Sequence, residues 1–205
     1  MKVVAVSQRV DVLPERAERR DALDQRLCAW LRASGHLPVP VPNVLDASVA
    51  FGSISERGLQ AWLDALRPAA VVLSGGNDLE KFPERDETER RLLAWAKNRR
   101  IPLLGICRGM QMMAMWAGGG LRVATGHVRT RHRLSGNISG EANSYHDFTL
   151  AGCPPGFEPL AAAEDGEIEA MHHTALPWEG WMWHPEREAE FLARDLARLK
   201  VLFGD

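Results

Sequence analysis

The run Leu103-Leu104-Gly105-Ile106-Cys107-Arg108-Gly109-Met110-Gln111 constrains the fold of this chain more than any other segment, because it sets a cysteine between two glycines where the hydrophobic pattern changes. Ile101 to Ile106 is short and apolar, suited to a buried strand. From Cys107 to Trp116 the chain is rich in Met and Ala, a helical composition stopped by Gly118-Gly119-Gly120. A strand must therefore turn straight into a helix at Cys107. Gly105 and Gly109 lack the side chains that would hold two backbones apart, as in the elbow that presents a serine nucleophile. The start of the helix supplies free N–H groups and positive potential, both of which favour a thiolate. Read locally, Cys107 is either a small buried apolar residue or a nucleophile. Cys28, within the helical pattern of Leu23, Leu27, Trp30 and Leu31, reads as the former, and Cys153 lies in a Gly-Cys-Pro-Pro turn with no evident chemistry.

The far end of the chain bears on that choice. Trp181-Met182-Trp183-His184-Pro185-Glu186 reads as an apolar strand ending in a histidine, a proline and a carboxylate. In extended backbone, residues two apart face the same way, and Pro185 biases His184 toward that conformation. Glu186 is thus expected beside His184, where a carboxylate fixes the tautomer of an imidazole and supports its protonated form. A cysteine and a histidine distant in sequence but adjacent in the fold is a recognised arrangement of thiol enzymes. A third segment, Ala70-Val71-Val72-Leu73-Ser74-Gly75-Gly76-Asn77-Asp78, is a buried strand running into two glycines. It is either a plain strand exit or a turn whose backbone N–H groups face an oxyanion, with the N–H of Arg108 as second donor.

Elements alternate along the first half. Strands are expected at Lys2 to Val6, Leu37 to Val41, Ala70 to Ser74 and Ile101 to Ile106. Helices are expected from Ala17 to Ala33, from a Ser55 cap to Leu66, and from about Pro83 to Arg99. This order implies a mostly parallel sheet covered by helices on both faces, with ligands bound beyond the carboxyl ends of the strands. Those ends carry Val6-Ser7-Gln8-Arg9, Ser74-Gly75-Gly76 and Ile106-Cys107. Short strands follow at 121–124, 143–150, 157–163, 167–173 and 179–183, and a helix from about Glu188 to Phe203 closes the chain.

With 205 residues, a formal charge of −2 and no apolar stretch approaching a membrane span, the chain reads as one domain, residues 1–205, and gives no reason to expect nucleic-acid or membrane partners. Four apolar residues after Lys2 are too few for a signal peptide, and three cysteines without a pairing pattern suit a reducing compartment, so a cytoplasmic location is expected. His127 and His132, like His172 and His173, lack a ligand spacing with carboxylates or thiols, so no metal site is expected.

Taken together, Leu73 to Asp78, Gly105 to Gln111 and Trp183 to Glu186 resemble, in order and spacing, the class I glutamine amidotransferase-like superfamily, which includes glutaminase domains and γ-glutamyl hydrolases. The resemblance implies an α/β, flavodoxin-like three-layer fold with a mostly parallel central sheet and additional short strands in the C-terminal half. It implies Cys107 as nucleophile, His184 as general base and acid, Glu186 as its orienter, and Gly76 with Arg108 as oxyanion hole. Gly75 and Gln111 belong to the same motifs and would border the substrate. Arg85-Asp86-Glu87-Thr88-Glu89, Asn143-Ser144-Tyr145-His146 and Asp165-Gly166-Glu167-Ile168-Glu169-Ala170 look like the γ-glutamyl hydrolase branch. Ser7-Gln8-Arg9, the short segment from Gly76 to Arg85 and Met182 to Arg187 are more similar to a smaller group within it, hydrolases of γ-glutamyl-CDP-amidate in capsule synthesis.

The implied reaction is cysteine-dependent hydrolysis of a γ-glutamyl amide through a thioester, with no cofactor. Asn143, Ser144, Tyr145 and His146 lie near the glutamyl pocket by that resemblance, or else form a polar strand facing a neighbour. Arg9, at a strand's carboxyl end, and Arg129, in the loop-like stretch His127 to Arg133, either grip a diphosphate or are solvated. The expected partner is a small γ-glutamyl substrate, nucleotide-linked in the favoured reading. Two alternatives stand beside it: a glutaminase subunit delivering ammonia to a separate synthase, and a non-enzymatic binding member of the fold.

Overall fold

The computed structural model describes residues 1–45 and 57–204. Its strands and helices run β1 (Lys2–Ser7), β2 (Arg9–Leu13), β3 (Glu18–Ala22), α1 (Gln25–Ala33), β4 (His36–Val41), α2 (Gly58–Leu66), β5 (Ala70–Leu73), α3 (Pro83–Arg99), β6 (Leu103–Ile106) and α4 (Arg108–Trp116). There follow β7 (Leu121–Val123), β8 (Val128–Gly136), β9 (Gly140–Tyr145), β10 (Phe148–Leu150), β11 (Phe157–Ala162), β12 (Ile168–His173), β13 (Trp178–Trp181) and α5 (Ala193–Phe203).

Among the described residues, nine strands make one sheet in the order β4-β1-β5-β6-β13-β12-β11-β8-β9. The ladders from β4 through β13 are parallel, and those from β13 onward to β9 are antiparallel. Side-chain alternation sorts the apolar residues of the parallel half onto two faces. Val4, Val6, Ala70, Val72, Leu104 and Ile106 pack with Leu27, Trp30 and Leu31 of α1 and Leu199 and Phe203 of α5. Ala5, Val71, Leu73 and Leu103 pack with α2, α3 and α4 on the other side. The expected three-layer α/β architecture is what forms.

Several boundaries differ from expectation, each for a local reason. Residues 17–22 are not helical: β3 pairs with β2 as a hairpin, through a 3-10 turn at Pro14–Arg16. The side chain of Asn43 ties Asp21 down, and α1 begins only after Asp24, whose Oδ1 accepts the Arg26 N–H at 2.8 Å. The stretch His127 to Arg133 is largely strand rather than loop, because β8 pairs with β9. The single strand expected at 143–150 is two, β9 in the large sheet and β10 against β7, broken at His146-Asp147. The closing helix starts at Ala193, after a segment pinned by Glu188 to Asn143 and Arg131. Helix α2 ends at Leu66 as expected, whereas the proposed Ser55 cap lies outside the described residues.

Candidate active site

Four parallel strands deliver their carboxyl ends to one crevice. From β1 the chain continues to Gln8-Arg9, from β5 to Ser74-Gly75-Gly76, from β6 to Cys107, and from β13 to Met182-Trp183-His184. Cys107 occupies the elbow with φ 50° and ψ −106°, a left-handed backbone that a non-glycine residue adopts only under constraint. The constraint is visible. The Cys107 N–H donates to the Trp181 carbonyl at 2.7 Å, extending the β6–β13 ladder, and its own carbonyl accepts from Gln111 in α4. The elbow is tight enough that a Cβ on Gly109 would stand 2.8 Å from the Leu73 carbonyl carbon, so only glycine lets α4 lie against β5.

His184 meets that elbow from the other side. Its Nδ1 lies 2.6 Å from Glu186 Oε1, so Nδ1–H donates to the carboxylate and Nε2 is left for the thiol. His184 is extended as expected, with φ −105° and ψ 91°, but the backbone does not stay extended as far as Glu186. Strand β13 ends at Trp181, and Pro185–Arg187 forms a 3-10 turn that curls Glu186 back under the ring. Burial disfavours a charged His184, but the charge and hydrogen bond at Cys107, together with Glu186, outweigh it and raise its pKa to about 9. Both partners are buried. The ring also passes close to Gly75, where an added Cβ would fall 2.6 Å from His184 Cε1.

The backbone of His184 is clamped by Asn143. The His184 N–H donates to Asn143 Oδ1 at 3.0 Å, and Asn143 Nδ2 donates to the His184 carbonyl at 2.8 Å and to Glu188 Oε1. Buried in this way, Asn143 holds the histidine's backbone. Tyr145 packs edge-on against the His184 ring, with centroids 5.8 Å apart, and the Arg187 guanidinium lies over the Tyr145 ring. Ser144 is turned inward to the His127 carbonyl, and His146 is directed toward Glu169 and the Phe148 carbonyl. Gln111 is buried and donates to the Phe148 carbonyl. It borders a separate cavity of about 510 Å³ lined also by Asp78, Asp86, Arg90, Trp116 and Phe148.

Arg9, Ser74, Gly75, Gly76, His184, Glu186 and Arg187 line one small depression at the strand ends. Arg9 is half-exposed, salt-bridged to Asp11 at 2.8 Å and adjacent to Gly76. Arg129 is exposed in a bulge of β8 at φ 55° and is not among the residues lining this depression. Arg131 is committed to Glu188.

Beneath the glycine turn lies a network that the sequence does not disclose. Arg85 is fully buried and donates to the carbonyls of Ser74, Gly75 and Gly76, bracing the whole turn. Its Nε also donates to Glu89 at 3.0 Å. Glu89 further accepts from Arg108 and from Ser7 Oγ, whose oxygen in turn accepts the Ser74 N–H, and Arg108 also pairs with Asp86. Burial pulls the pKa of Arg85 down to about 10. Burial also works against an ionised Glu89, yet the two arginines hold its pKa below the ordinary carboxylate value. The signal available in the sequence is the charged helix start Arg85-Asp86-Glu87-Thr88-Glu89, which a solvated helix face would equally produce.

One further cluster departs from expectation. His127, His132 and Glu169 converge although sequence spacing separates the histidines from any carboxylate, because the glutamate arrives on β12 from more than thirty residues away.

Fold and site together are those of a three-layer α/β protein with a cysteine, a histidine and a carboxylate gathered at the strand ends. The chain belongs to the class-I glutamine amidotransferase family, whose profile matches residues 43–199. It is 34% identical over 125 residues to the γ-glutamyl-CDP-amidate hydrolase of Campylobacter jejuni, covering 58% of this chain and 62% of that one. To a glutamine-hydrolysing GMP synthase subunit of Methanocaldococcus jannaschii it is 32% identical over 126 residues, covering 57% and 63%. The matches thus span about three fifths of these relatives' length. A glutamine amidotransferase structure from Thermotoga maritima superposes with a TM-score of 0.65 at 20% identity, covering 98% of this chain and 83% of that one. Among the described residues no helix is long and apolar enough to cross a membrane.

Proposed function

We propose that this chain hydrolyses a γ-glutamyl amide through a Cys107 thioester, with residues 1–205 acting as one catalytic domain. The observation that carries the reading is the strained Cys107 elbow facing a buried His184 whose Nδ1 is committed to Glu186. The Cys107 sulfur attacks the γ-carbonyl carbon and the carbonyl π electrons move onto oxygen. The Gly76 and Arg108 N–H groups meet that oxyanion; Arg108 opens α4, so its N–H has no acceptor within the helix. Collapse breaks the C–N bond while the His184 imidazolium gives its Nε2 proton to the departing nitrogen. Neutral His184 then takes a proton from water as it attacks the thioester, releasing glutamate and restoring the thiolate–imidazolium pair.

The favoured substrate is nucleotide-linked, γ-glutamyl-CDP-amidate, with cytidine diphosphoramidate as the leaving product. Support comes from the Campylobacter jejuni relative and from two arginines, Arg9 and Arg187, on the rim of the depression that holds His184. Guanidinium groups so placed suit a diphosphate. The alternative is a glutaminase subunit that passes ammonia to a separate synthase, and the GMP synthase relatives favour it. Glutamate release from glutamine, γ-glutamyl amines and γ-glutamyl-CDP-amidate, with C107A as blank, decides between them. Turnover confined to the nucleotide substrate, with kcat/KM reduced at least tenfold in R9A or R187A, supports the first reading. Glutamine turnover that appears only with a synthase supports the second.

A further inference from the structure

Away from Cys107, the hairpin β8–β9 meets β12 in a buried polar cluster that the proposed chemistry does not use. His127, His146 and Glu169 are each 3% exposed or less. His127 Nε2 lies 2.8 Å from Asp165 Oδ2, and His146 Nδ1 lies 3.1 Å from the Phe148 carbonyl oxygen. A carboxylate and a carbonyl only accept, so both ring nitrogens donate there, which leaves the lone pairs of His127 Nδ1 and His146 Nε2 pointing inward. Both of those atoms face the same oxygen, Glu169 Oε1, at 3.2 and 3.3 Å. His127 Nδ1 has no hydrogen-bond partner among the described residues, and neither does His132 Nε2, whose ring lies 4.1 Å from that of His127. Lone pairs gathered around a buried carboxylate repel one another unless something positive lies between them.

We propose that this cluster is a zinc site, with His127 Nδ1, His132 Nε2 and a Glu169 oxygen as its protein ligands and His146 beside them against the same carboxylate. The donor atoms of these three residues lie within 4.8 Å of one another. Ligands about 2.0–2.1 Å from a tetrahedral zinc stand on the order of 3.3 Å apart, close to the 3.2 Å between His127 Nδ1 and Glu169 Oε1. Histidines with a carboxylate form a borderline donor set that suits zinc over magnesium or calcium. The Asp165–His127 contact is the outer hydrogen bond that orients a metal-bound imidazole.

The site has a structural task. The hairpin's ladder to β11 consists of the pairs at Ser135 and Gly136, near the β8–β9 turn. His127 and His146 flank its opposite, open end, and Glu169 on β12 reaches it there. A metal at this point fastens the open end of the hairpin that supplies Asn143 to the backbone of His184.

The test is zinc binding by the full chain after chelator treatment, followed by metal analysis, competition with a chromophoric chelator and thermal unfolding. Expected are one zinc per chain, bound more tightly than about 1 μM, and a Tm that rises with zinc. H132Q and E169Q should weaken binding at least tenfold. D165N changes a half-exposed side chain that touches no metal, and it should also weaken binding about tenfold while the protein stays folded. C107A should bind zinc as the parent does. Failure to take up stoichiometric zinc would overturn the proposal, because the lone pairs would then be bridged by protons. Uptake indifferent to D165N and H132Q, or abolished by C107A, would overturn it equally.

Discussion

Cys107 and His184 hold opposite kinds of tension: one is a strained backbone, the other a charge kept in a buried place. Under the proposed chemistry His184 must be protonated when the C–N bond breaks, so kcat/KM should fall as pH rises through about 9. In E186Q the support for the imidazolium is weaker, and the alkaline limb should move to lower pH with rate losses on the order of 10²-fold or more. A pH–rate profile of both proteins checks this. The same shift acts on stability. Folded His184 titrates above its ordinary 6.5, so its contribution is fully present below pH 6.5 and disappears as pH rises through about 9. Tm measured across that window should decline, and the decline should be smaller in H184A. At this scale the sequence is readable. The residue types at 107, 184 and 186 stand out as a group, and His184 is extended as expected, although a 3-10 turn from Pro185 places Glu186.

Helix α3 shows how an element serves a site that it does not line. Its first turns bury Arg85, Asp86 and Glu89, and its later turns bury Leu92, Leu93 and Ala96. The buried stripe is therefore ionic where it passes under the glycine turn and apolar where it crosses the sheet. Replacing Arg108 by Met leaves Asp86 and Glu89 without one of their cations and should destabilise the protein by about 3–5 kcal/mol, measured by urea unfolding. A different element junction gives a steric test. Gly109→Ala places a methyl against the backbone of Leu73, which cannot rotate away, and should cost about 1–3 kcal/mol while lowering activity by displacing Cys107. The ionic half of the stripe is hidden in the sequence, because charged residues at helical spacing describe a solvated face equally well. Strands β2 and β3 are hidden too, since the charged second strand has helical composition and is held extended by its partner.

The whole molecule is organised by the sheet. Parallel strands from β4 to β13 carry the catalytic candidates at their carboxyl ends, and antiparallel strands beyond β13 supply the clamp on His184. The two halves join where Trp181 is stacked on Trp183 at 5.3 Å and met edge-on by Trp30 of α1. Trp181→Ala should therefore cost about 3–5 kcal/mol and lower kcat more than stability alone explains, because Trp183 leads directly into His184; chemical denaturation and kinetics on the folded variant separate the two effects. By itself the sequence determined the alternating α/β order, the elbow at Cys107 and the meeting of strand ends, since periodicity, glycine placement and β-to-α connection are local or topological properties. Only the tertiary structure decided that Asn143 clamps the backbone of His184, that Arg85 braces the glycine turn, and that His127, His132, His146 and Glu169 converge. Those contacts join residues tens of positions apart through the antiparallel register and the buried face of a helix, and no local pattern encodes which distant polar group will satisfy another.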